Sequence, residues 1–287
     1  MTRGFSRARF RAYLAGYAFL LLVCVWQFVA AGDFSFGRRP WENLRKTAVE
    51  FSAPSFLNLW YGREKLEYKA DDGRVLRVEN QRISEAKFLT GLGDAVWTTF
   101  KIATLGSLIA AVTGLPFGVA AARNMETPDW LASVSRIVLG VARSIHTLVF
   151  GLIIVGIIGL GPMAGVLAIA AHSFGTYGKL YAEAIESIDR GLIESGRALG
   201  LSPLQTLVHG LRRTMLPRAL SVHLYIWEFN MRDSTVLGLI GAGGLGLLVS
   251  EAVSLFQWGR LATILLATIA LVMTFDAISR KVRHDIL

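Results

Sequence analysis

Residues 144–178 read SIHTLVFGLIIVGIIGLGPMAGVLAIAAHSFGTYG, a run of 35 positions without an Asp, Glu, Lys or Arg. A helix rises about 1.5 Å per residue and the hydrocarbon core of a bilayer is about 30 Å thick. Roughly 20 apolar residues therefore span it, and this run holds one to two spans. A helix buried in a water-soluble core rarely needs so long an uncharged stretch, because it alternates buried and solvated faces. Three further blocks, 14–31, 102–122 and 234–250, are uncharged as well, and 53% of the 287 residues are hydrophobic. The chain reads as an all-α integral membrane protein with about six transmembrane helices.

The formal charge of +9 raises the question of a nucleic-acid partner. Its distribution answers no. Arg3, Arg7, Arg9 and Arg11 precede the first apolar block, and Arg280, Lys281 and Arg283 follow the last. Basic clusters at span ends follow the positive-inside rule and do not make a phosphate-binding face, so membrane lipid is the expected surroundings. Cys24 is the only cysteine, which excludes an intrachain disulfide and a cysteine metal cluster. The first block resembles a signal peptide ending at Val29-Ala30-Ala31, but its core exceeds an ordinary h-region and reads as an uncleaved anchor.

Spans are expected over Ala12–Ala31, Asp94–Ala122, Trp130–Leu160, Gly161–Ser187, Arg218–Ile240 and Gly259–Arg280. Between the first two, Trp41 to Trp60 reads as a segment on the membrane surface. Leu66–Ala70 and Arg74–Val78 flank an Asp72-Gly73 turn and read as a small extracytoplasmic β-hairpin, with a loop as the alternative. Three parts follow: 1–31, with the cytoplasmic N-terminus and first span; 32–91, outside; and 92–287, carrying a cytoplasmic loop at 188–217. Segment 32–88 carries 11 Lys/Arg against 9 Asp/Glu and is nearly balanced, whereas the pieces assigned inside are mostly net basic. Both termini are therefore predicted to be cytoplasmic.

Enzyme motifs fall away. Gly241-Ala242-Gly243-Gly244-Leu245-Gly246 matches a dinucleotide fingerprint, but it ends a membrane helix and lacks the preceding strand and the later acidic residue. Its glycines suit close helix packing and a break. The five histidines form no metal-binding pair, so neither a metal site, a cofactor nor a catalytic residue is expected. If ATP powers the protein, another chain hydrolyses it.

The 188–217 loop is the most informative soluble piece. Gly200 can end a helix in the left-handed conformation, and Ser202-Pro203 is a good start for the next. That next helix puts Leu204, Leu207, Val208 and Leu211 on one face, which needs a partner groove. Glu194-Ser195-Gly196-Arg197-Ala198-Leu199-Gly200 resembles the EAA loop of ABC-importer permeases. Glu228 to Gly238, the Gly241–Gly246 run, Gly159 to Leu167 and Asp276-Ala277-Ile278-Ser279 are similar to phosphonate-importer permeases. The resemblance covers about 92 to 284 and implies a five-helix permease core plus one N-terminal helix. It implies a second permease chain, identical or homologous, two ATP-binding subunits, a periplasmic or extracellular substrate-binding protein and a bacterial inner-membrane setting. Glu194, Gly196, Gly200, Ser202, Leu204, Leu207 and Leu211 are then the residues that couple to the ATPase. The cargo implied is phosphonate, phosphite or hypophosphite, with an amino-acid importer and an ion-coupled secondary transporter as rivals. Two departures stand out: Arg213 occupies the place of the loop's usual proline, and the polar insert around 60–87 is longer than in simpler relatives.

Charged groups inside a span carry the remaining chemistry, because ionised side chains there cost several kcal/mol unless paired or hydrated. Glu228 and Arg232 are four apart and share a helix face, which suits a structural ion pair. Equally, Arg232 with Asn230, Ser234 and Thr235 suits the route of a small oxyanion, whose geometry the guanidinium fork matches. His172 and Lys179 are further candidates for that route.

Overall fold

The structure is a computed structural model, and it describes residues 7–32, 39–63, 66–69, 75–125, 127–188, 190–201, 205 and 212–286. The chain divides into two compact units, Met1–Val49 and Glu50–Leu287. The first contains helix α1, Arg7–Ala31, and most of α2, Pro40–Phe51. Phe10–Ala31 is long and apolar enough to cross a membrane, as the sequence suggests. From Phe10 to Trp26 every residue but the half-buried Val23 is exposed, which suits lipid as solvent.

The second unit opens with a 3-10 turn, Ser55–Leu57, and a short helix α3, Asn58–Tyr61. The Ser55 hydroxyl meets the Thr263 hydroxyl at 3.0 Å, and Arg82 Nε donates to the Gly62 carbonyl at 3.0 Å. Strands β1, Leu66–Lys69, and β2, Val75–Glu79, pair antiparallel, while residues 70–74 lie outside the described residues. Helix α4, Gln81–Ala121, follows and starts 13 residues before the expected Asp94. Asn80 accounts for that start: its Oδ1 accepts from the backbone N–H groups of Arg82 and Ile83 at 3.1 and 3.2 Å, an N-cap.

The unit is built around α7, Pro162–Glu186, which makes its most extensive contact with α4. The reason is visible every fourth residue of α4. Gly106, Ala110, Gly114 and Gly118 are all buried, and a methyl group added at Gly106 would sit 2.7 Å from Ile169. Lipid offers no hydrophobic drive for helix association, so small residues that let backbones approach carry the packing. Pro162 at the first turn of α7 has a fixed φ suited to starting a helix.

Two expected helices are broken. The segment 130–160 is not one helix but α5, Asp129–Ser144, and α6, Thr147–Ile158, bent by 89°. Ile145 and His146 are extended there. The His146 imidazole caps α6 by accepting from the Leu148 N–H at 3.2 Å, and His172 Nδ1 donates to the half-buried Ile145 carbonyl at 2.8 Å. Irregular backbone inside a span persists only where such partners satisfy it. No proline or glycine stands at Ile145–His146 to mark the bend.

The fifth helix is the second case. After α8, Arg190–Ala198, helix α9 runs Arg212–Leu237 and passes into a π-helical turn, Gly238–Ala242. Helix α10, Leu245–Ser254, then leaves at 57°, and α11, Trp258–Ile286, closes the unit. Among the described residues three helices are long and apolar enough to span, or up to five if each bent pair counts as one. Helix α7 has the length for another, about 37 Å at the standard rise, but carries Lys179, Glu183 and Glu186 in its second half.

Candidate functional site

The two glycine-rich corners meet. Gly161, with φ +148 just before α7, donates its N–H to the Gly241 carbonyl at 3.0 Å. Gly241 has φ +92, and the Leu160 side chain covers it so closely that any side chain at 241 would overlap it. Below this corner Thr99 of α4 accepts from the Leu245 N–H at 2.8 Å and so satisfies the start of α10. Sequence segments 80 residues apart thus form one joint between α6, α7, α9 and α10.

Two to four turns back along α9 lies the charged cluster. Glu228 Oε1 accepts from Arg232 Nη2 at 3.1 Å, and Glu228 Oε2 lies 3.7 Å from Arg283 Nη2 on α11. The Glu228 side chain is 15% exposed, whereas that of Arg232 is 55% exposed, with its guanidinium 5.8 Å from the Phe229 ring centre. Asp233 points elsewhere: it accepts from the Thr147 hydroxyl at 2.6 Å, at the first turn of α6. A carboxylate at a helix N-terminus also gains from the helix dipole.

The other residues expected along the route do not gather around Arg232. Asn230 is 1% exposed; its Oδ1 accepts from Ser173 of α7 at 2.9 Å and its Nδ2 donates to Ser107 of α4 at 2.8 Å. It ties three helices together inside the unit. Ser234 is fully buried and donates to the Met231 carbonyl at 2.8 Å, and Thr235 is half-buried with a longer bond to the same carbonyl. His172 is occupied at the α5–α6 bend, its ring 6.4 Å from that of His146. Lys179 pairs with Glu183 at 3.4 Å on α7 and lines a different place, a pocket between α4, α5 and α7.

Of the loop residues, Glu194 is exposed and Gly196 buried on α8, and Gly200 has φ +72. The Leu201 N–H bonds back to the Gly196 carbonyl at 3.1 Å, closing the helix end around Gly200. Ser202, Leu204, Leu207 and Leu211 lie outside the described residues.

Sequence reasoning passed over Arg283, Thr147 and the arginines of α5. Arg136 and Arg143 stand seven apart, two turns on one face of a segment counted as a span, which was the available signal.

Comparison with known proteins places this geometry. Residues 114–286 match the family model described as binding-protein-dependent transport system inner membrane component. The phosphite transport system permease protein PtxC of Stutzerimonas stutzeri is 38% identical over 185 residues, covering 64% of this chain and 67% of that protein. The phosphate-import permease protein PhnE of Mycolicibacterium smegmatis is 31% identical over 196 residues, 68% of this chain and 37% of that one. A chain of the MetNI methionine ABC transporter in an inward-facing conformation superposes with a TM-score of 0.64 at 21% identity, over 70% of this chain and 98% of that one.

Proposed function

The chain belongs to the family of binding-protein-dependent transport inner membrane components, and on that premise we propose that its cargo is phosphonate or a reduced phosphorus oxyanion such as phosphite or hypophosphite. The likeness to a permease named for phosphite carries this reading. Arg232 supports it: one of its N–H groups is taken up by Glu228 and the rest of its fork is half-exposed. A planar guanidinium with open donors is the side chain best matched to a tetrahedral oxyanion. In this reading Arg232 meets the anion, Glu228 and Arg283 hold Arg232 in place, and Asn230 and Ser234 support the helix from inside.

Two permease chains enclose the route, two ATP-binding subunits dock on the 188–217 loops, and a substrate-binding protein delivers cargo from the side of segment 32–88. Both termini are cytoplasmic. ATP binding shifts the equilibrium between inward-facing and outward-facing states, which is how one site is exposed alternately to each side. The chain itself carries no catalytic role.

The test is uptake by the complete complex in proteoliposomes, with phosphite, methylphosphonate, phosphate and methionine offered in turn. Uptake and stimulated ATP hydrolysis with the reduced phosphorus compounds are expected. Methionine as the sole stimulating cargo would place the protein with amino-acid importers.

A further inference from the structure

A cavity of about 170 Å³ opens between the end of α4, one face of α5 and the second half of α7, and it is away from Glu228 and Arg232. Four cations line it, Arg123, Arg136, Arg143 and Lys179, against two carboxylates, Glu183 and Glu186. The carboxylates are already engaged. Glu183 pairs with Lys179, and Glu186 accepts from the Arg123 backbone N–H at 2.9 Å. Arg136 Nε donates to the Ala121 carbonyl at 3.0 Å, which leaves the rest of its fork open. Among the described residues the guanidinium groups of Arg123, Arg136 and Arg143 have no carboxylate partner.

The three guanidinium groups without a carboxylate partner belong to exposed residues around one cavity, so an anion can reach them from solvent and there replace their water. A water's share of liquid volume is ~30 Å³, so the cavity has room for a tetrahedral anion with a few waters. Arg136 and Arg143 come from α5 and Arg123 from the turn after α4, so the cavity is lined by guanidinium donors from two elements, which suits an anion with several oxygens.

We propose that this pocket is a second anion site, taking a phosphorus oxyanion through Arg123, Arg136 and Arg143. The occupant is either the free oxyanion or the phosphate of an anionic lipid headgroup. The free-anion source rests on the cargo reading above; the pocket does not.

The test uses the assembled complex, with Arg143→Gln as the main variant, since among the described residues the Arg143 side chain makes no ion pair that folding could lose. Phosphite binding is measured by calorimetry in phospholipid-free detergent, and thermal stability is measured in nanodiscs with or without phosphatidylglycerol. If the occupant is the free anion, phosphite binding survives in Arg232→Gln, weakens ~10–100-fold in Arg143→Gln, as loss of a charged hydrogen-bonding partner implies, and partly returns in Arg143→Lys. If it is the headgroup, phosphatidylglycerol raises the melting temperature of the wild type and not of Arg143→Gln. The proposal is overturned if both ligands act equally on wild type and Arg143→Gln, or on neither. Loss of phosphite binding in Arg232→Gln alone, with no effect of phosphatidylglycerol on the wild-type melting temperature, would overturn it while leaving the cargo reading intact.

Discussion

Glu228 on α9 faces two arginines at once, Arg232 one turn along its own helix at 3.1 Å and Arg283 on α11 at 3.7 Å. The carboxylate is largely buried and Arg232 is half-exposed, so the two partners of the helical pair are not equivalent. Glu228→Gln leaves two arginines without their acceptor and is expected to lower stability by about 1–3 kcal/mol. Arg232→Gln leaves Glu228 its bond to Arg283 and is expected to fold at close to wild-type yield while losing phosphite uptake. The double variant leaves Arg283 without its carboxylate and with only the Ser279 carbonyl as acceptor, and should restore neither. Extracted complex yield and uptake, measured on all three, check this; recovered uptake in the double variant would leave Arg232 a purely structural role.

Asn230 makes two bonds to side chains on two other helices, and both partners are buried. Asn230→Leu strands Ser107 and Ser173 together. A loss of about 1–3 kcal/mol is expected, toward the lower end because interhelical bonds in membranes contribute modestly. Melting temperature should fall, and the relative uptake of phosphite and phosphate should stay unchanged. A changed cargo ratio would bring Asn230 back to the transport route.

Gly241 combines positive φ with close cover by Leu160. Gly241→Ala should cost at least ~1–2 kcal/mol from the left-handed backbone alone, with the steric overlap added. Adding Leu160→Ala removes the overlap and leaves the backbone cost, so the pair should recover only part of the stability. Full recovery would show that the corner tolerates a side chain and that packing was the whole constraint.

The α8 end at Gly200 and the following apolar face are expected to seat in the ATP-binding subunit. Gly200→Pro or Leu207→Asp should weaken co-purification with that subunit or uncouple ATP hydrolysis from uptake, with membrane insertion unaffected. Normal assembly and wild-type uptake in both variants would assign the loop another role.

Orientation is checked by labelling. In a Cys24→Ser background, Asp72→Cys or Glu79→Cys should react with an impermeant thiol reagent on intact cells, and Ser202→Cys only after the membrane is opened. The reverse pattern would invert the chain and remove the basis for import.

The membrane class, the approximate span count and the motifs that mark the family are properties of the sequence by itself. Each rests on local quantities: uncharged length against bilayer thickness, basic residues at span ends, and glycine spacing. Glu228 and Arg232 were legible as partners for the same reason, since four residues along a helix is a local distance. What only the tertiary structure decided is everything that depends on which helices touch. The bend at Ile145–His146 has no proline or glycine to mark it, and the partner of its Ile145 carbonyl is His172, 26 residues beyond His146 on another helix. Asn230 and Ser234 each lie two positions from Arg232, about 200° round the helix, and both are buried, Asn230 through bonds to Ser107 of α4 and Ser173 of α7. Arg283 joined Glu228, and Arg123 joined Arg136 and Arg143, only once separate helices came together. Helical periodicity sets which residues share a face; which face meets another helix is decided by close approach of small residues such as Gly106 and Gly118, and that choice belongs to the whole bundle.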